Sequence, residues 1–459
     1  MAKRVRESAS ARAKARADRI KETREELAEI RKSKDKSSRT SIILGVILGV
    51  AVTALLLTML FQFDNMQAVG ETFARIAKGS NWMWLLVAFA LTLVYFLLWP
   101  LTITTYSKEL NLGVGFRDAY DIGACEHFYN NVTPSYSGGQ PFQVYAFKVV
   151  GANTGKATGA IIATFLTYLA VTNLYAFVAL VFYPTYMTGV AESGVTIFNW
   201  AVTSDVFFWI TLVGYFMNTL TLVMTCLIGA SRTIRKWLVS FAMWLSKLKV
   251  GGRWVRKNLH SFVAYLRNTQ EGFKEVWSHP KTFMLAFLYR LLAMGCFYAV
   301  PFFLLLSVGL PIIDYGMTFL FVMFGTSFAI TAMCWLPTPG STGGIELAFT
   351  VVLASLLCTD GLIDQEGIDI DLSQVSLTIS LLWRLFTYYL VTIMSLGYSV
   401  VFQIRVQRRK RKEVKMLAAK EKELSASVEG ESPEAAADPP DEKKEKAPED
   451  GDPPKGEGE

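Results

Sequence analysis

The chain alternates between long apolar runs and short charged stretches. Apolar runs cover 42–61, 82–106, 157–182, 203–229, 282–306 and 377–403. Each is long enough to cross a bilayer as a helix, which takes about 20 residues. Two further apolar regions, 116–150 and 316–358, are broken midway by Pro, Gly, Ser and Thr. Irregular backbone at membrane depth is tolerated only where it is buried in protein or lines a wet cavity. The pattern therefore predicts an all-α polytopic membrane protein. It has six full spans plus two re-entrant helical hairpins, or pairs of short spans, giving eight or more membrane segments.

Charge placement sets the expected orientation. Residues 1–40 carry 14 basic and 7 acidic residues, so the N-terminus is expected in the cytoplasm. The loop 359–375 has five acids and no base, and 184–203 has no Lys or Arg; both are expected outside. Segment 231–281 carries 11 basic and 2 acidic residues and is expected inside. Within it Trp237, Phe241, Trp244, Leu245 and Leu248 recur at helical spacing beside Arg235, Lys236, Lys247 and Lys249. That is an amphipathic helix suited either to an anionic cytoplasmic leaflet or to the protein's own inner face. Basic residues from Arg405 to Lys412 predict a cytoplasmic C-terminus. The expected organisation is a basic segment at 1–40, a transmembrane domain at 41–405 and a tail at 406–459. The tail is basic at first and then, from about residue 416, poor in large apolar residues and expected to be disordered.

The two interruptions share a motif. Thr133-Pro134-Ser135-Tyr136-Ser137-Gly138-Gly139 and Thr338-Pro339-Gly340-Ser341-Thr342-Gly343-Gly344 both read Thr-Pro-x-x-[Ser/Thr]-Gly-Gly. By the charge bias, the first broken region enters and leaves on the inside, and the second on the outside. The expectation is an inverted-topology repeat, in which matched interruptions point to a transport site. Helices are expected to restart near Pro141 and Ile345, with free N–H groups facing the membrane middle, where phosphate binds well. Ordinary tight loops between short helices are the alternative.

Buried charge narrows the site. Arg290 and Arg384 lie inside predicted spans, where a central Arg costs about 2.5–3.5 kcal/mol and needs a partner. Glu346 or a substrate phosphate would serve. An Arg–Glu pair that only joins helices is the rival reading. Glu126, His127, Asn130 and Asn131 either line a polar cavity or bond the broken backbone. The candidate substrate-binding set is Asn130, Asn131, Thr133, Ser137, Gly138, Gly139, Gln140, Arg290, Thr338, Ser341, Gly343, Gly344, Glu346 and Arg384. No metal spacing links His127, His260 and His279, and the five cysteines form no CxxC. No phosphate-binding loop of the G-x-x-x-x-G-K-[ST] type occurs, so any drive is expected from gradients or from substrate supply, and no cofactor is expected. Nothing in the chain calls for nucleic acid, and oligomeric state is not set by the sequence.

Three stretches resemble signatures of the lysylphosphatidylglycerol synthase transmembrane-region family, the flippase-like part of MprF-type proteins. Residues from Asn131 to Gln143 resemble its "N-x-TP-x-x-SGGQPFQ" segment. Residues from Pro337 to Glu346 resemble "PTPG-x-x-GG-x-E", and those from Trp383 to Leu390 resemble "WR-x-x-TYYL". The resemblance implies a multi-pass bacterial cell-membrane protein that moves or binds lipids. Its partner would be a phospholipid or polyprenyl-phosphate headgroup, with a separate aminoacyl-lipid synthase as a further partner. Full-length relatives carry a soluble lysyltransferase after the membrane part. No such pattern follows residue 405, so the expected activity is transport of an anionic or aminoacylated phospholipid such as lysylphosphatidylglycerol. Lysyl transfer and polyprenyl-phosphate transport are the alternatives.

Overall fold

The computed structural model describes Lys21 and residues 66–134, 136–182, 184, 196–197, 200–201, 204–247, 252–338, 340–359, 361–364 and 372–429. The chain divides into two compact units, residues 38–407 and residues 1–37 with 408–459. Of the second unit, Lys21 and residues 408–429 are described, all of them helical. The first unit holds the apolar helices.

Its helices are α1 (Met66–Lys78), α2 (Met83–Glu109), α3 (Phe116–Asn131), α4 (Gly139–Val149), α5 (Thr154–Val181) and α6 (Ser204–Ala230). They continue with α7 (Arg232–Leu245), α8 (Gly252–Ser278), α9 (Pro280–Val308), α10 (Tyr315–Met333), α11 (Gly344–Leu357) and α12 (Leu372–Arg384). A π-helical stretch, Leu385–Leu390, then leads into α13 (Val391–Glu429). The strands among the described residues are a two-residue antiparallel pair at 196–197 and 200–201. The fold is all-α, with six helices among the described residues long and apolar enough to span a membrane.

Local chemistry fixes the helix ends. The Asn153 side chain accepts hydrogen bonds from the Gly155 and Lys156 amides and starts α5. Asp314 does the same for α10 through Gly316 and Met317. Each cap satisfies amides that the first helical turn leaves open. Pro280 opens α9, where its missing N–H costs nothing, and Gly309 ends it in the left-handed region.

Five of the six expected full spans coincide with α2, α5, α6, α9 and the α12–α13 region. The first, 42–61, lies outside the described residues, as do almost all of 1–40 and the whole of 430–459. The sixth long helix is α10, inside the second interrupted region. That region is therefore a full-length helix followed by a short one, because nothing between 315 and 333 breaks the apolar run. Residues 416–429, in the stretch expected to be disordered, lie within α13. They are rich in Ala, Lys, Glu and Leu, all strong helix formers.

Each interrupted region brings its two ends together. Before α10 and after α11 the chain pairs antiparallel, with Ile313 N–H bonding Leu362 O at 2.9 Å and Asp364 N–H bonding Pro311 O at 3.0 Å. Around α3 and α4, Lys156 Nζ donates to Leu110 O at 3.3 Å. At the far ends the two motif turns meet, the Tyr136 hydroxyl donating to Gly340 O at 2.8 Å; the Tyr388 hydroxyl, from the π-helical stretch, donates to Asn131 O at the end of α3 at 2.9 Å. Helices α2, α5, α9 and α12 send side chains toward this junction. Outward-facing Leu, Phe, Trp and Val side chains on α2, α6 and α9 stay uncovered, as lipid-facing surfaces do.

Candidate functional site

The two turns share backbone geometry as well as sequence. Tyr136 and Ser341 occupy the same motif position, and both have left-handed φ, 54° and 49°. Helices α4 and α11 begin at the two second glycines, Gly139 and Gly344. They start two residues before Pro141 and one before Ile345, earlier than the sequence predicts. Pro141 is tolerated there because amides of the first turn have no intrahelical acceptor.

Most amides at these helix starts are already used. Gly138 N–H bonds Thr133 Oγ1 at 2.8 Å, Gly139 N–H bonds Asn130 Oδ1 at 2.8 Å, and Gly343 N–H bonds Glu346 Oε2 at 2.9 Å. Buried amides must be paired, and the chain supplies its own acceptors. The expected phosphate cradle of free N–H groups is to that extent filled by the protein. Thr338 Oγ1 donates to Thr342 O at 2.9 Å, and Ser341 Oγ donates to Cys334 O at 2.8 Å, so both tie the second turn. Two glycines are required, one by packing and one by conformation. A Cβ at Gly139 would lie 2.6 Å from Asn130 Oδ1, and Gly343 sits at φ 90°, which side chains rarely adopt.

The two arginines differ. Arg384 Nε contacts Glu346 Oε1 at 2.7 Å, and its Nη2 donates to Gly340 O at 3.1 Å. It holds α12 to the start of α11 and to the second turn. Arg290, on α9, is only 1% exposed, yet its Nε and Nη1 have no hydrogen-bond partner among the described residues. Its guanidinium carbon lies 3.6 Å from the centroid of the Trp99 ring. The Trp99 contact is a cation–π interaction, which leaves the N–H donors free. Glu346, the expected partner of either arginine, serves Arg384.

A cavity of about 380 Å³ opens where the two turns meet. Of the sequence-predicted residues, Asn130, Asn131, Ser137, Gln140, Arg290 and Arg384 line it. Thr133, Gly138, Gly139, Thr338, Ser341, Gly343, Gly344 and Glu346 are not among its lining and build the turns behind it. Asn131 Nδ2 also donates to Thr392 Oγ1 at 2.7 Å, and Ser137 Oγ donates to Pro134 O at 2.9 Å.

Other lining residues were not in the predicted set, among them Tyr95, Trp99, Gln143, Tyr168, Asn218 and Trp383. Glu126 lines it too, joining the polar cluster read from the sequence. Its Oε2 accepts from Trp99 Nε1 at 2.9 Å and from Gln143 Nε2 at 3.1 Å, and Oε1 accepts from Asn130 Nδ2 at 3.5 Å. The carboxylate is thus well supplied. Donors are in surplus: Arg290 Nε and Nη1, Asn218 Nδ2 and Trp383 Nε1 are buried without partners among the described residues. His127 Nε2, also in the lining, is likewise buried without a partner among the described residues, and the Glu126 carboxylate acts on the Arg290 charge. The unmet N–H donors of the guanidinium suit a ligand with several acceptor oxygens. Gln143 and Trp383 stand inside the motif segments and were findable there. Asn218 and Trp99 sit in unremarkable apolar runs and carried no local signal.

Known proteins resemble this chain in sequence. A UPF0104 membrane protein from Archaeoglobus fulgidus is 25% identical over 353 residues, covering 75% of this chain and 92% of the archaeal protein. The family profile of the lysylphosphatidylglycerol synthase TM region matches residues 46–395. This chain belongs to the lysylphosphatidylglycerol synthase transmembrane-region family.

Proposed function

We propose that this protein binds the phosphate of an anionic or aminoacylated phospholipid at Arg290 and moves the lipid between leaflets. The observation that carries the reading is the Arg290 guanidinium, buried in apolar helices, lining a cavity and lacking partners for Nε and Nη1 among the described residues. Glu126 offsets part of its charge, but N–H donors buried without acceptors still cost free energy, which a ligand phosphate would recover. Bidentate N–H donors fit phosphate oxygens.

The shared turn geometry and the contact of the turns supply the transport step in this reading. Two hairpins related by inverted topology meet at their tips, and rocking of one against the other exposes the cavity to each leaflet in turn. The tip contact at Tyr136–Gly340 is then remade on each cycle. The termini lie in the cytoplasm by charge bias, and the membrane is the plasma membrane.

The test is reconstitution in liposomes with labelled phosphatidylglycerol, lysylphosphatidylglycerol or a polyprenyl phosphate. Leaflet exchange should exceed that of empty liposomes for at least one lipid, and Arg290→Met should return it to background. Equal exchange in wild type and variant removes Arg290 from the mechanism. Formation of lysyl-lipid from lysyl-tRNA by the purified chain would favour the transferase reading instead.

A further inference from the structure

Helix α7 carries a surface that the headgroup cavity does not use. It follows α6, a candidate span ending at Ala230, with Ser231 alone between them. Ser231 is extended, and its side chain accepts the Ile234 N–H at 3.3 Å. The chain therefore leaves one helix and starts another at once in a new direction.

The inner face of α7 is held by the protein. Ala242 is buried, and Arg235 donates to Gln270 of α8. The outer face is aromatic. Trp237, Phe241 and Trp244 are 63%, 45% and 57% exposed. Their rings stack in series, each neighbouring pair 5.7 Å apart and tilted by 6° and 23°. The stripe is thus covered by no other part of the described protein.

Charge says what covers it. Arg232, Lys236 and Lys247 are exposed, and α7 contains no acid. At about 100° of rotation per residue, Lys236 falls on one flank of the stripe, roughly a quarter turn away, and Lys247, two residues past the end of α7 in the turn bonded to Trp244 O, follows on the same flank. Aromatic rings on one side with cations at their edge match the boundary between acyl chains and anionic headgroups. The far end of the same segment repeats the feature: Trp277, 72% exposed, stands just before Pro280, which opens α9. We infer that the Trp237–Phe241–Trp244 face of α7 lies in the membrane interface and binds anionic lipid headgroups through Lys236 and Lys247.

The experiment uses the full chain in vesicles of phosphatidylcholine, with or without phosphatidylglycerol. A phospholipid carrying a photoactivatable diazirine near the headgroup end of its acyl chain is included, and adducts are mapped by peptide mass spectrometry. Adducts are expected on 237–244 and should rise with phosphatidylglycerol. Replacing Lys236 and Lys247 by Gln should cut that rise by roughly fivefold per charge. Adducts on α6 but none on α7 would overturn the inference. So would labelling of α7 that ignores phosphatidylglycerol. Hydroxyl-radical oxidation of Trp237 and Trp244 supplies a second readout. Shielding without lipid adducts would mean that protein, such as a second copy, covers the face, and the lipid assignment would fall.

Discussion

Replacing each buried arginine by methionine should affect stability in opposite ways. Arg384 is paired with Glu346 at 2.7 Å and also holds Gly340 O. Removing one member of such a buried pair costs about 3–5 kcal/mol, because the other charge is left uncompensated. Arg290 has the reverse balance. A central Arg costs about 2.5–3.5 kcal/mol, and a desolvated cation–π contact returns about 2 kcal/mol. Glu126 keeps its three donors when Arg290 is replaced, and these compensate its carboxylate for the loss of the neighbouring guanidinium. Arg290→Met in the empty protein should therefore be neutral or stabilising by about 1 kcal/mol, as the difference of those two values implies. Arg384→Met should be strongly destabilising and partly rescued by Glu346→Gln. Thermal unfolding in detergent, read by intrinsic fluorescence with and without added anionic lipid, checks both. Added lipid should raise the wild-type midpoint and leave that of Arg290→Met unchanged. The reasoning is refuted if Arg290→Met destabilises as much as Arg384→Met, because Arg290 would then be a structural group.

The turns give further expected outcomes. Gly139→Ala forces Cβ against Asn130 and should cost about 1–3 kcal/mol, measured by the unfolding midpoint. Gly343→Ala, at φ 90°, should cost about 1–2 kcal/mol in the same assay. Tyr136→Phe removes one bond between the turns but leaves Gly340 O its bond from Arg384, so the loss should stay near about 1 kcal/mol. In the transport reading it should also change the leaflet-exchange rate, and an unchanged rate would argue against remaking of that contact. Trp99→Leu removes both the ring under Arg290 and a donor to Glu126, and should weaken anionic-lipid protection without abolishing it.

The sequence alone determined what depends on neighbours in the chain. Apolar run lengths set five described spans, and Thr-Pro-x-x-[Ser/Thr]-Gly-Gly located both turns, because helix breaking is a local property of Pro and Gly. Contacts at Ile313–Leu362 and Lys156–Leu110, which join the flanks of each broken region, carried no local signal in the chain. The length of α10 was hidden because a run of 19 apolar residues beside a break reads equally as half a hairpin or a span. The division of labour between the arginines was decided only by tertiary structure. Arg384 meets Glu346 across 38 positions, and Arg290 meets Trp99 from a distant helix. Propensity and composition are silent on such pairings. Which guanidinium is hydrogen-bonded to a carboxylate, and which keeps unmet N–H donors among the described residues, depends on where the helices cross.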